Sequence, residues 1–158
     1  MSSYRSVGIL PMFAILLLGA SFAKRSYGDE PVPKTEAEVI KKLQGKWKLV
    51  STTVDGRLLG KENYGEYVTT YEGNVATVSV NDNRRGSFQI TLRPAKEISE
   101  IDLKSLENPT RPANQGIYKF DGDTLTMCTN PRPVAARPKG FASVIGTGDI
   151  LEVYEKIK

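Results

Sequence analysis

The chain has 158 residues, enough for one domain with a substantial core. Its 22 basic and 18 acidic residues give a net charge of +4, and it carries no histidine and one cysteine, Cys128. Those counts exclude an intrachain disulfide, a histidine-based catalytic triad and the commonest zinc ligand, so neither a cofactor nor a metal is expected.

Residues 1–28 have the layout of a secretory signal peptide: Arg5, then the apolar run "VGILPMFAILLLGASFA", then small residues. Cleavage fits after Ala23 or after Gly28. The alternative is an uncleaved membrane anchor, for which the run is near the lower length limit and is interrupted by Pro11. Loss of Arg5 alone would leave a charge of +3, and loss of Arg5, Lys24 and Arg25 would leave +1. The basic balance therefore implies neither nucleic acid nor an anionic membrane as a partner. The expectation is an exported protein, periplasmic or extracellular, with no stable membrane insertion after cleavage.

Residues 29–34, "DEPVPK", read as a linker, and 35–158 as a single domain. Thr35 and Glu38 have the spacing of a capping box. Val39, Ile40 and Leu43 then share one face of a short helix that Gly45 ends. From Trp47 the period becomes two, with Trp47 and Leu49 on one face and Lys46 and Lys48 on the other. Asp55-Gly56 is a turn. Strands are expected at Glu66–Tyr71, Val75–Val80, Ser87–Leu92, Ile98–Lys104, Gly116–Phe120, Thr124–Asn130 and Ile150–Ile157, joined mostly by tight turns. The Asp121-Gly122-Asp123 acids suit a hairpin turn better than a calcium loop, which needs more oxygen ligands over a longer stretch. The pattern is all-β: an antiparallel eight-stranded barrel behind one short N-terminal helix.

A helix followed by Gly45-x-Trp47 at the head of a meander resembles the lipocalin-like barrels. The resemblance implies that Trp47 sits near the closed end, under a basic side chain from the last strand. Lys156 or Lys158 would serve where lipocalins usually carry Arg, and a cation over an indole is worth about 0.5–2 kcal/mol. The ordered set "LQGKWKLV", "DG", "IDLK", "GIYKFDGDTLTMC", "RPKGF" and "LEVYEK" also resembles a family of uncharacterised exported bacterial domains abundant in planctomycetes. That resemblance implies class and compartment and brings no activity with it.

Phe88, Tyr118, Phe120, Leu125 and Met127 are the candidate lining of a ligand pocket, and the same residues would equally fill a solid barrel. Arg137, in "RPKGF", has five fixed donors suited to pinning the long loop, with anion binding as the alternative. Glu100 and Asp102 read as a solvated strand face, and Cys128 as a small buried hydrophobe. The expected function is an exported, non-enzymatic binding module for a small apolar ligand or another exported protein. The alternative is an inhibitor or structural interaction domain with a filled barrel. A buried carboxylate with a displaced pKa inside an open cavity is the feature that would point to an enzyme instead.

Overall fold

A computed structural model of the chain describes residues 35–132 and 135–158. The expected leader and linker lie outside the described residues. Helix α1 (Glu36–Leu43) starts at a complete capping box: the Thr35 hydroxyl accepts from the Glu38 N–H, and the Glu38 carboxylate accepts from the Thr35 N–H. Gln44 ends the helix. Gly45, at φ 100°, then turns the chain into the first strand, a conformation that favours glycine.

The strands are β1 (Gly45–Val54), β2 (Arg57–Leu59), β3 (Tyr67–Glu72), β4 (Val75–Val80), β5 (Asn83–Arg93), β6 (Ser99–Ser105), β7 (Asn114–Asp121), β8 (Thr124–Asn130) and β9 (Ile150–Lys156). Strand β2 pairs only with the end of β1, as the return arm of the Asp55-Gly56 hairpin. The other eight pair antiparallel in a ring, because β1 bonds to β3 on one side and to β9 on the other. The barrel is closed. The short β2 had no signal of its own in the sequence, since three residues cannot display a period.

Inside the ring, burial changes along the barrel axis. Near α1 the inward side chains Trp47, Leu49, Tyr71, Ile90, Ile101 and Tyr154 are at most 4% exposed, and Val39 and Leu43 of the helix join the same core. Toward the other end the inward residues Tyr67, Val78, Val80, Phe88, Leu103 and Glu152 are only half-buried, while Thr52 and Thr129 among them stay buried. The barrel is thus packed solid at the helix end and loosens toward its mouth.

The outer face also has a covered region. Ile117 and Cys128 are buried there opposite one another on β7 and β8, and the Cys128 thiol donates to the Ala142 carbonyl of the long loop after β8. Arg137 fastens that loop. Its guanidinium donates to the Ile101 and Gly116 carbonyls and to the Asp102 carboxylate at 2.6 Å, and pairs with Glu100 at 3.3 Å. Glu100 and Asp102 are therefore held under Arg93 and Arg137 instead of lying free in water. Burial alone would raise the Asp102 carboxyl, but the hydrogen bonds from the two arginines outweigh it and hold that group below its usual range.

Gly116 lies at the tightest point under this clamp. A Cβ there would stand 2.7 Å from the Thr129 methyl and 2.9 Å from the Cys128 carbonyl oxygen. We expect Gly116→Ala to cost about 1–3 kcal/mol through overpacking, measured as a lower urea midpoint. An unchanged midpoint would show that β7 and β8 can separate freely.

Candidate functional site

The half-open end of the interior is the candidate site. Strand β9 supplies Glu152, Tyr154 and Lys156 on its inward face, two residues apart, so each points into the barrel at a different depth. Lys156 is deepest. Its Nζ stands 5.3 Å from the centre of the Trp47 ring and donates to the Lys42 carbonyl at 2.7 Å. The Trp47 indole N–H donates to the Leu43 carbonyl at 2.6 Å, so helix, first strand and ninth strand meet on one side chain. Lys158 lies outside this cluster and pairs with Asp123 at the surface.

Glu152, one step nearer the mouth, sits opposite Met127 of β8 and Thr52 of β1. Tyr154, Tyr67 and Tyr71 are close enough to feel its charge. Tyr67 and Tyr154 face each other with ring centres 6.3 Å apart, and the Tyr71 hydroxyl points at the Met127 sulfur at 4.0 Å. Glu152 is half-buried by exposed area, yet protein surrounds the carboxyl closely enough that burial pushes its pKa up to about 7, with a hydrogen bond from Tyr154 opposing the rise. Burial drives all three tyrosine hydroxyls above their ordinary value, so they stay protonated. Among the described residues no ion pair reaches Glu152.

Strand β5 is four places from β9 in either direction around the ring, directly across the barrel. There a cavity of about 180 Å³ opens at the mouth, lined by Phe88, Leu103, Ser105, Asn114, Glu107 and Arg111. Phe88 and Leu103 give that cavity an apolar strip among polar and charged side chains, Arg85 and Arg111 included, and the opposite wall carries a carboxylate among tyrosines.

Of the five candidate lining residues, Phe88 lies on this cavity. Tyr118, Leu125 and Met127 are within the buried core, and Phe120 packs at the closed end, 6.0 Å from the Trp47 ring and beneath the Lys42 ammonium. Gly45, Trp47 and Lys156 meet at the closed end, while Arg137 works on the outer wall. The sequence reading missed Glu152, Tyr67, Tyr71 and Tyr154. A signal was present in "LEVYEK": Glu152 and Tyr154 share the parity of Lys156, so a Lys156 turned inward over Trp47 carries both of them inward.

Chemically, the site can hold an apolar body and present one acidic group to it. The Glu152 carboxyl, raised to about 7, is by itself in the range of a general acid or base, and the tyrosines beside it stay protonated as hydrogen-bond donors, so this is the displaced carboxylate that would point to an enzyme. Cys128 is buried, and desolvation pushes its thiol up to about 11, which leaves little nucleophilic thiolate. Among the described residues no group of three or more acidic or cysteine side chains is placed to hold a metal ion, and no helix is long and apolar enough to cross a membrane. Searches of family models, curated proteins and solved structures found nothing that matches the chain.

Proposed function

We propose that the chain is an exported, non-enzymatic binding module of lipocalin-like type, akin to the exported bacterial domains it resembles, which takes a small apolar ligand through the barrel mouth. One observation carries the reading: the barrel is sealed and solid at the helix end but only half-buried above, with Phe88 and Leu103 turned to a cavity there. A barrel built only for rigidity would gain by filling that volume. A ligand that fits supplies the missing apolar contacts, and the packed floor holds the walls in place for it.

The test is fluorescence titration with N-phenyl-1-naphthylamine, a neutral apolar probe, followed by displacement with alkanols. Saturable uptake with a stoichiometry near one is expected, weakened about fivefold in Phe88→Ala by the loss of roughly 1 kcal/mol of apolar contact. No saturable uptake would overturn the reading.

A second reading, an inhibitor or structural interaction domain, has its own observation. Leu58, Val144 and Ile145 are 71%, 57% and 78% exposed on the β1–β2 hairpin and the long loop. The loop touches that hairpin, where the Gly146 N–H donates to Asp55 and the Gly56 N–H to the Ser143 hydroxyl. A chain that takes up no probe would leave this apolar patch as the functional surface.

A further inference from the structure

We propose that the Glu152 carboxylate, boxed by Tyr67, Tyr71 and Tyr154, is the recognition point for the ammonium group of a small apolar amine. The inference rests on the binding-module reading and names the chemical class of its ligand.

The first argument is charge without a counterion. Exposed or half-exposed acids of this chain such as Glu100, Asp102 and Glu107 are each held by an arginine. Glu152 lies deeper than Glu107, yet no described cation pairs with it. A carboxylate placed inside a barrel without a partner is costly to ionise, and a bound cation removes that cost. The second argument is the surroundings. Groups facing Glu152 are Tyr154 from its own strand, Tyr67 and Tyr71 from β3, Thr52 from β1 and Met127 from β8, with the Cys128 thiol near enough to feel its charge. None of them is cationic; the cations of the mouth, Arg85 and Arg111, stand on the cavity across from Glu152, and the Arg111 guanidinium donates to the Pro131 carbonyl. Phenol rings attract cations, hydroxyl oxygens accept from N–H donors, and carboxylate and rings together discriminate against anions. The third argument is the opposite wall, where Phe88 and Leu103 offer the apolar body of the ligand a surface across the mouth.

Binding an ammonium ion to this site favours the ionised carboxylate, so near neutral pH a proton leaves Glu152 for solvent as the ligand enters. The experiment compares hexylammonium, hexanol and hexanoate by calorimetry at pH 8, pH 7 and pH 5, in two buffers of different ionisation enthalpy. At pH 8 hexylammonium is expected to bind about tenfold more tightly than hexanol, with hexanoate weakest. The preference shrinks at pH 5, where Glu152 is protonated, and at pH 7 the heat depends on the buffer because protons are released. Glu152→Gln brings the ammonium-to-alcohol ratio close to one. Equal binding of hexanol and hexylammonium, or a preference that survives Glu152→Gln, overturns the amine inference while the binding module stands. Binding of none of the three overturns both.

Discussion

Glu152→Gln is expected to raise the melting temperature at pH 8 and to leave it unchanged near pH 4. The folded chain holds the Glu152 proton up to about pH 7, whereas an unfolded glutamate gives it up around 4.5. Between those values the native state binds more protons than the unfolded state. Stability therefore falls as pH rises through this window, and the full penalty applies above it. Taken whole, that difference corresponds to about 3 kcal/mol at roughly 1.4 kcal/mol per unit. Water reaches a half-buried side chain and screens part of it, so the expected gain from the neutral isostere is about 1–2 kcal/mol, or roughly 3–8 °C. Thermal unfolding followed by circular dichroism at both pH values is the measurement. A gain that is the same at pH 4 and pH 8, or a loss at pH 8, would show that the carboxylate is not desolvated.

The contrast between Glu152 and the barrel strands shows what a single sequence discloses. Alternation in "GKWKLV", "SFQITL" and "TLTMC" reports a strand with one face inside, and each of the eight ring strands carries such a pattern or stands between clear turns. The region 150–156 is harder, because both of its faces are covered. Leu151 and Val153, half-buried and opposite in parity to Tyr154, are on the outer side, while Glu152 is turned inward. Apolar residues outside and an acid inside invert the usual rule, so hydropathy alone assigns the wrong face. Tyr67 and Tyr71 were legible as strand residues but not as neighbours of Glu152. Their proximity depends on ring closure, a pairing of β1 with β9 that local pattern does not encode. Arg137 falls between these cases: its fixed donors suggested a pin, but which carbonyls it would reach depended on the path of the long loop.

The largest destabilisation is expected at the sealed end. Trp47→Ala should cost about 3–5 kcal/mol, since a fully buried indole leaves a cavity that the barrel cannot collapse to fill. Trp47 is 0% exposed, its N–H is bonded to Leu43, and Lys156 and Phe120 lie against it. Removing it loosens the helix, the first strand and the ninth together. Lys156→Met, which keeps the stem and removes the ammonium, should cost about 1–2 kcal/mol from the lost carbonyl bond and the cation–ring contact. The two changes share a contact, so their combination should fall short of additivity by about 0.5–2 kcal/mol. Urea unfolding of the four proteins closes the cycle. Strict additivity would mean that Lys156 acts only through the Lys42 carbonyl and owes nothing to the indole.

The seam between β1 and β9 has a kinetic consequence. The two strands that shut the ring are the first and the last of the ring to be synthesised, and the Lys156 ammonium over Trp47 arrives only with the latter. Before then β1 and β8 each present an open edge able to template other strands. Because most pairing energy here joins neighbours in sequence while closure joins the extremes, folding should resemble a meander that assembles early and zips late, on a timescale of about milliseconds to seconds. A nascent chain is thus at its most adhesive just before the ring closes, and a chain cut short within β9 would never leave that condition. A chaperone or protease could tell finished molecules from unfinished ones by that one zipped edge.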